Sequence, residues 1–282
     1  MKLHATLFQH GMAEYFLNNK SLSDFGILPG KSNSNHLAIT GGFDLPKRTE
    51  TTFYNWPLEN SVEPFVNADD IIFGSRKLKF SGTILGDANA NIRALESYID
   101  TLPELFSLSC EWGTWNVKLE ENIQITPIDR NNSRVSMNFT EPMPDLSGSL
   151  PSPSGKNDID GYSWNDFSLW LDSISGGQTI GGSKRLKVTQ NKSYTLPSAG
   201  GKDKTEITVK ATFICPDFSS LKSNIRSLYA LISSPGLRKI RYRDVEYTCF
   251  AVDGFTVSDI ILSDKTAAKF QCKFIVISKS NG

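Results

Sequence analysis

The sequence predicts a mainly β protein of two tandem units, each a β-sandwich or partly closed barrel with one flanking α-helix. Three observations predict this fold. The run Asn-Ile-Arg occurs at residues 91–93 and again at 224–226, each time within a short amphipathic pattern typical of a helix. Runs that alternate between apolar and polar residues flank both helices. A stretch rich in Pro, Ser and Gly separates the two copies, so the chain reads as a repeated structural unit.

The chain of 282 residues is long enough for two domains with separate cores. We expect an N-terminal arm at residues 1–14, a first β domain at 15–141, a linker at 142–160 and a second β domain at 161–282. The linker contains four prolines among Ser, Gly and Asp, so it has little apolar surface to bury. The domain boundary therefore falls where the repeat requires it.

Charge is spread unevenly although the net charge is zero. Through Asp145 there are 12 Lys and Arg against 18 Asp and Glu, and the remaining residues carry 18 against 12. Two solvated surfaces of opposite sign would explain this pattern. Alternatively, the oppositely charged halves meet across an interface and steer each other into register.

Each unit is predicted to open with a β-hairpin. In the first unit the turn is Asn18-Asn19-Lys20, because Asn tolerates the positive φ of tight hairpin turns. In the second unit we expect the turn at Asn165-Asp166 and the following strand at 167–174, which aligns Tyr15 with Tyr162.

A short strand at 37–39, matched by 186–188 in the second copy, precedes a long connection in each unit. The first connection, residues 44–75, has no regular pattern, and a loop of about 30 residues is uncommon in a compact domain unless it is functional. Its aromatic side chains could contact a partner, or they could cover the core of their own domain. The corresponding connection in the second copy, residues 191–204, is shorter.

The helix of each unit follows an alternating strand, at 77–85 and at 206–214. Asp87 or Asn89 is the expected N-cap in the first copy and Asp217 in the second, because their side-chain oxygens can accept hydrogen bonds from free amides of the first turn. After each helix come two or three further strands and a final one. The best-matched positions pair Phe106, Leu108, Trp115, Val117, Val135, Met137 and Phe139 with Arg238, Ile240, Tyr247, Cys249, Phe270, Cys272 and Phe274.

Signals for chemistry are few. All three histidines lie in the first 36 residues, so neither predicted core offers a histidine base, and we expect no enzyme, no catalytic residue and no cofactor or metal. Gly26–Ser32 lacks the glycine spacing of a phosphate loop, and Asp158, Asp160 and Asp166 lack the pattern of a calcium loop. The four cysteines have no metal-binding spacing, and we expect reduced, buried thiols, with a Cys249–Cys272 bridge as the alternative.

Two further features leave alternatives open. Trp112 and Trp115 could form an exposed sugar-stacking platform, or they could belong to the core or a subunit contact. The basic run from Arg238 to Arg243 could give one strand a cationic face toward nucleic acid, an acidic partner or solvent. No run approaches the roughly 20 apolar residues of a membrane span.

The order of elements resembles the N-terminal domain of phage distal tail proteins. The resemblance rests on the Leu-Ser-Asp-Phe-Gly run at Leu22–Gly26, the long loop, the alternating strand, the short helix and the pair of aromatic-bearing strands. It covers residues 15–140 and, more weakly, 162–277. More broadly, both halves are similar to the tail-tube fold of long-tailed phages. That family implies a β-sandwich with a flanking helix that forms a six-fold ring around a channel for DNA or the tape-measure protein.

The resemblance implies a structural ring component of a phage tail, at the tube or at the distal tail and baseplate. Its partners would be other copies of itself, neighbouring rings and the tape-measure or hub proteins. DNA would pass through the channel without specific binding, and no membrane would be involved. The protein would reside in the virion tail after assembly in the host cytoplasm. The alternative function is a carbohydrate-binding adhesin module of the tail tip or cell surface.

Two tube-type units in one chain are a departure from the usual distal tail protein, in which a sugar-binding-like domain is common. The departure suggests a trimer with six pseudo-equivalent positions, with a hexamer as the alternative. The expected interaction residues are the aromatics of the long connection, the repeated helix arginines and the two neighbouring tryptophans: Phe53, Tyr54, Trp56, Phe65, Arg93, Arg226, Trp112 and Trp115.

Overall fold

The computed structural model describes residues 13–31, 34–56, 61–120, 123–176 and 205–281. The chain forms two compact units, each assembled from three stretches. Unit 1 contains Met1–Asp44, Ser75–Asp145 and Ser258–Asp264, and unit 2 contains Leu45–Gly74, Leu146–Val257 and Lys265–Gly282. The contiguous domain boundaries expected from the sequence stay a prediction.

The described residues form sixteen strands, two α-helices and three 3₁₀ helices. The strands are β1 Tyr15–Leu17, β2 Lys20–Ser21, β3 Ile27–Pro29, β4 Ile39–Thr40, β5 Phe53–Trp56, β6 Ser61–Pro64, β7 Arg76–Ile84, β8 Phe106–Cys110, β9 Gly113–Leu119, β10 Gln124–Pro127, β11 Ser133–Glu141, β12 Leu169–Gly176, β13 Thr205–Cys215, β14 Arg238–Tyr242, β15 Val245–Leu262 and β16 Thr266–Asn281. The α-helices are α1 Ala88–Ile99 and α2 Phe218–Ser233, and the 3₁₀ helices are Leu22–Phe25, Ala68–Asp70 and Trp164–Phe167.

Two large curled sheets contain most of these strands. The nine-stranded sheet has the order β2-β1-β8-β9-β11-β7-β3, with β10 beside β11 and β4 beside β7. The five-stranded sheet has the order β12-β13-β16-β15-β14, and β5 and β6 form a separate two-stranded sheet. The predicted fold class, mainly β with one helix in each unit, is confirmed.

The repeat is visible in the strand order. The path β8-β9-β11-β7-β3 in the nine-stranded sheet corresponds element by element to β14-β15-β16-β13-β12 in the five-stranded sheet. The pairing registers agree as well, because Phe106 lies opposite Val117 as Arg238 lies opposite Cys249. The long strand β15 takes the place of both β9 and β10.

Alternation along the matched strands produces the two cores. On β7 the buried residues include Leu78, Phe80 and Ile84, and on β13 they include Ile207, Val209, Ala211 and Phe213. The helices lie beside these strands and begin at the predicted caps, since Asp87 accepts from the Ala90 amide at 3.1 Å and Asp217 from the Ser220 amide at 2.7 Å. The two helices differ in burial. In α2 seven residues are buried, whereas in α1 only two are.

The hairpin predicted at the start of the second unit is wrong. Residues Trp164–Phe167 form a 3₁₀ helix where the turn was expected, although the strand expected at 167–174 is present as β12. The Ser163 hydroxyl accepts from the Asn165 amide, and the Asp166 carboxylate accepts from the Ser163 amide. This capping box satisfies the free amides of a helical turn, so it favours the helix over a hairpin.

The true counterpart of this turn lies 142 residues earlier, at Leu22–Phe25. Ser21 caps that 3₁₀ helix as Ser163 caps the other. The tight turns that precede the caps also correspond, because Asn18-Asn19 and Asp160-Gly161 all have positive φ. The preceding residues pair alike: Leu17 lies opposite Leu108, and Ile159 forms a bridge with Ile240. The two units therefore open alike, in a different alignment from the predicted one.

The repeated asparagine of the helices has a structural role. Asn91 donates its side-chain amide to the Leu85 carbonyl at 3.0 Å, and Asn224 donates to the Ser168 hydroxyl at 2.9 Å. Both side chains lie beside the left-handed residue that ends the 3₁₀ helix, which is Gly26 in unit 1 and Ser168 in unit 2. Asn224 thus ties α2 directly to the opening turn of unit 2, whereas Asn91 ties α1 to Leu85, whose amide donates to the Gly26 carbonyl.

Several predictions fall outside the described residues. These are most of the N-terminal arm with His4 and His10, the strand at 186–188, and the second connection at 191–204.

Candidate interaction surfaces

The long first connection carries an aromatic hairpin made of β5 and β6, in which Tyr54 lies opposite Glu63. Because side chains alternate along a strand, Tyr54 and Trp56 share one face. They are 49% and 43% exposed, and their rings make an edge contact with centroids 4.5 Å apart. The Trp56 indole also donates to Glu63 at 3.0 Å. This pair is an outward-facing aromatic surface.

The opposite face of the hairpin packs inward on unit 2. The Phe53 ring lies 6.1 Å from that of Phe250, which is only 2% exposed. Phe65 is half-buried, and its carbonyl accepts from the Arg48 guanidinium at 2.6 Å. Arg48 also donates to the Asp70 carbonyl at 2.8 Å, and burial lowers the pKa of Arg48 while Asp70 opposes that shift. Of the four predicted aromatics, Phe53 therefore packs on the core, Phe65 is half-buried, and Tyr54 and Trp56 face solvent.

Trp112 and Trp115 are not equivalent. Trp115 is 4% exposed, donates to the Gly42 carbonyl at 2.9 Å and makes an edge contact with Phe43. Trp112 is half-buried and lines a cavity of about 120 Å³ with Tyr15 and other residues of unit 1. The two indoles do not form one exposed platform in this chain, because Trp115 belongs to the core.

The repeated arginines also differ. Arg93 is exposed on α1. Arg226 is half-buried and donates to the Ser147 carbonyl at 2.9 Å and to the Ser147 hydroxyl at 2.8 Å. Gly148 lies so close that a Cβ there would collide with the Arg226 carbonyl. Arg226 thus fastens residues of the predicted linker to α2, and its expected contact with a neighbouring unit stays a prediction.

Arg238 was expected on a cationic strand face, but it is buried. Its guanidinium lies 3.0 Å from the Asp160 carboxylate. It also donates to four carbonyls at the end of α2, those of Leu231, Ser234, Pro235 and Gly236. A cation at a helix C-terminus donates hydrogen bonds to carbonyls that have no partner within the helix, and it interacts favourably with the negative end of the helix dipole. The remaining basic residues of the run, Lys239, Arg241 and Arg243, are exposed.

The aspartates near the start of unit 2 are structural. Asp158 accepts from the Ser163 hydroxyl at 2.9 Å, and Asp166 accepts from the Ser154 and Ser163 amides. Burial opposes ionisation of Asp166, but these hydrogen bonds outweigh it and hold its pKa below the ordinary value. The serine-aspartate spacing was the sequence signal for this role.

A second buried ion pair joins the ends of β7 and β11 in unit 1. Arg76 and Glu141 lie opposite each other in register with their charged atoms 3.0 Å apart, and the two residues are 5% and 6% exposed. Burial raises the pKa of Glu141, and Arg76 opposes that shift. Arg76 also donates to the Asp44 and Gly42 carbonyls, so the pair fastens the chain at residues 42–44 to the sheet.

None of the described cysteines forms a disulfide. Cys215, Cys249 and Cys272 are buried, and burial raises the pKa of each thiol. In the ranges that the structure describes, no group of three or more His, Cys, Asp and Glu is placed to hold a metal ion. No helix in those ranges is both long and apolar enough to cross a membrane.

The fold and surfaces define the class: a mainly β protein of two repeated units with an exposed aromatic hairpin. No protein-family model and no curated protein matches the sequence. Among solved structures, the chain is similar to the crystal structure of SPP1 Dit (gp 19.1), which is described as a paradigm of the hub adsorption apparatus in Gram-positive infecting phages. The identity is 10% and the TM-score 0.35, over 96% of this chain and 100% of the other.

Proposed function

We propose that the chain is a structural component of a long-tailed phage or phage-like tail and forms a ring around the tail channel. The observation that carries the proposal is the duplication: two units with the same strand order and register in one chain. Units that share a fold can occupy neighbouring positions of one ring through similar surfaces. The resemblance of residues 15–140 to distal tail proteins points to the same role.

The ring we propose contains three chains and six pseudo-equivalent positions. Unit 1 carries 10 Lys and Arg against 15 Asp and Glu, and unit 2 carries 20 against 15. In a ring of alternating units each contact joins an acidic unit to a basic one, so attraction favours the alternating order. A hexamer of full chains is the competing arrangement.

The outward face of the first large sheet suits a channel wall. It presents Lys and small polar side chains of β7 and β11, among them Lys79, Ser81 and Asn138. Such a face offers polar groups without an apolar patch, so DNA could pass without specific binding. Contacts with neighbouring rings, the tape-measure protein or the hub would use the exposed Tyr54 and Trp56. The protein would act in the virion tail, at the tube or the distal tail and baseplate, after assembly in the host cytoplasm.

Electron microscopy of the purified full chain tests this function. Negative-stain images over a range of protein concentrations should show rings with a central hole. Compact particles without a hole at every concentration would contradict the proposal.

A carbohydrate-binding adhesin is the second candidate, and the exposed Tyr54–Trp56 pair is the observation that favours it. Aromatic rings can stack on sugars. An array of bacterial surface glycans should then bind the wild-type chain and lose binding with Trp56→Ala, whereas Trp170→Ala serves as the control because Trp170 is 59% exposed on a different strand. Absence of glycan binding by the wild-type chain would remove this candidate. Neither function requires a catalytic group or a cofactor.

A further inference from the structure

An open groove lies in unit 1 between the end of α1 and the β8–β9 hairpin. Its apolar residues are Ile99, Leu102, Phe106 and Leu119, and its charged rim contains Glu104, Lys118 and Glu120. The groove has a free volume of about 440 Å³. An apolar floor with a polar rim is the usual anatomy of a protein–protein interface.

The same place in unit 2 is already covered. The shared register of the two hairpins makes Phe106 equivalent to Arg238 and Leu119 equivalent to Ala251. The matching Asn91 and Asn224 make Ile99 equivalent to Ile232. Those equivalents in unit 2 line a cavity of only about 10 Å³. The space is filled by Arg48, Val66, Ile71 and Phe73.

The cover comes from Leu45–Gly74, which lies in sequence between β4 and β7 of the first repeat. The Gly236 amide donates to the Val66 carbonyl at 2.8 Å, and Phe53 packs on Phe250. The long connection of the first repeat therefore completes the surface of unit 2. In unit 1, no described segment covers the equivalent groove to the same extent, and Lys118 replaces Phe250 at its edge.

We propose that the groove of unit 1 is the docking surface for a second copy of this chain, which presents its unit 2 there. In a closed ring of alternating units, the next chain's unit 2 adjoins each unit 1, and the repeat supplies unit 2 with its own connection before β13. The contact would repeat between chains the packing that Leu45–Gly74 makes within unit 2. This inference rests on the proposed ring and names the surface through which it closes.

Charge supports the choice of occupant. Unit 1 has an excess of five acidic residues and unit 2 an equal excess of basic ones. At the rim itself Glu104 is exposed and acidic, Lys118 is basic, and Glu120 is already paired with Lys77. The opposite net charges of the two units therefore favour unit 2 of another chain as the occupant, whereas a second copy of unit 1 is repelled.

The test measures self-association of the full chain by sedimentation equilibrium. Leu102→Glu places a charge on the groove floor at a half-buried position, and Glu104→Lys reverses a rim charge at an exposed one. Leu102→Glu should raise the dissociation constant by about tenfold or more, as for a central interface residue. Glu104→Lys should raise the dissociation constant by less and make the dissociation constant less sensitive to salt concentration. The control is Ile128→Glu, because Ile128 is 52% exposed in unit 1 and lies outside the groove.

Circular dichroism and thermal unfolding establish that each variant is folded. If both groove variants associate like the wild type, or if the control weakens association equally, the docking proposal is overturned. No self-association of the wild type up to about 1 mM, the weak limit of specific binding, would also overturn it. Rings that persist in both groove variants would leave the proposed function standing without this surface. Association that depends on the groove but never yields rings would support the docking surface and reject the ring.

Discussion

The two units share one fold but bury their arginines in different places. In unit 1 the buried pair is Arg76–Glu141, and the equivalent positions in unit 2 are Thr205 and Val276, which also lie opposite each other. In unit 2 the buried arginine is Arg238, and the equivalent position in unit 1 is Phe106. The topology therefore requires neither ion pair, and each pair fastens a local segment to its own unit.

The units also differ in how completely they are covered. Unit 2 has the longer, more buried helix and the additional cover of Leu45–Gly74, whereas α1 is mostly exposed. This difference separates two kinds of residue. Some residues stabilise the shared fold, and others are left exposed in unit 1, where we propose a contact with another copy of the chain.

The largest expected effect comes from breaking the buried pair of unit 2. Arg238→Met leaves Asp160 partly buried without its cation and frees the carbonyls at the end of α2. We expect the free energy of unfolding to fall by about 3–5 kcal/mol, as for a buried pair that loses one partner. Denaturant titration with urea measures this change.

A double variant tests whether the buried pair of unit 2 occupies the same positions as Asn18 and Phe106 of unit 1. Unit 1 has Asn18 at the position of Asp160 and Phe106 at that of Arg238. Arg238→Phe combined with Asp160→Asn should therefore be less destabilised than Arg238→Met alone. If the double variant is the less stable one, the two positions are not equivalent in the way that the register indicates.

The next effect concerns the left-handed residue after each 3₁₀ helix. Gly26 has φ of 65° and Ser168 has φ of 54°. Gly26→Ala adds a Cβ that collides with the Asn91 side chain, so we expect a loss of about 1–3 kcal/mol. Ser168→Gly relieves a left-handed conformation and should change stability by less than about 1 kcal/mol in either direction, because the relief opposes the lost contact with Asn224.

Thermal unfolding of the two variants checks this prediction. A loss for Ser168→Gly as large as that for Gly26→Ala would contradict the proposed role of backbone conformation.

The smallest effect is the pH dependence from Glu141. Because burial raises its pKa in the folded state, the protonated form is favoured by folding. The stabilisation from protonated Glu141 is fully present below the pKa of the unfolded chain, about 4.5. It is lost as the pH rises through the higher pKa of the folded protein. Relative to Glu141→Gln, the wild type should become more stable as pH falls through this window.

Urea titrations at several pH values between 4 and 7 measure the difference between wild type and Glu141→Gln. A difference that stays constant would show that Arg76 balances the effect of burial on the pKa of Glu141. A change in the opposite direction would show that Arg76 outweighs burial.

Most of the fold was predictable from local patterns. Alternation located the strands β7 and β13, helical spacing located α1 and α2, and the capping aspartates Asp87 and Asp217 marked the helix starts. These features depend on residues close together in sequence, so one chain suffices to show them. The matched positions after the helices also follow from the repeat alone.

The 3₁₀ helix at the start of unit 2, where a hairpin was predicted, also has a sequence signal. The pattern Ser-x-x-Asp-Phe occurs at Ser21–Phe25 and at Ser163–Phe167, and it marks the capped 3₁₀ helix in both units. Aligning Tyr15 with Tyr162 shifted the second copy by five residues and hid this signal. Capping chemistry was the better guide, because it reflects backbone hydrogen bonds and not the identity of one aromatic residue.

Other features could not be read from the sequence. The burial of Arg238 depends on Asp160, which is 78 residues away, and on the end of α2. The membership of Leu45–Gly74 in unit 2 depends on contacts such as Phe53 with Phe250, nearly 200 residues apart. Among the expected interaction residues, the sequence could not separate buried Trp115 from exposed Trp56 for the same reason.

The number of chains in an assembled ring shows whether the two units of one chain occupy two ring positions. Native mass spectrometry of rings purified from the full chain should give the mass of three copies of the 31.3 kDa chain. Electron micrographs of the same rings should show six similar lobes. Six or twelve full chains per ring would contradict the proposed trimer, because the two units of one chain would then not occupy two positions of a single six-fold ring.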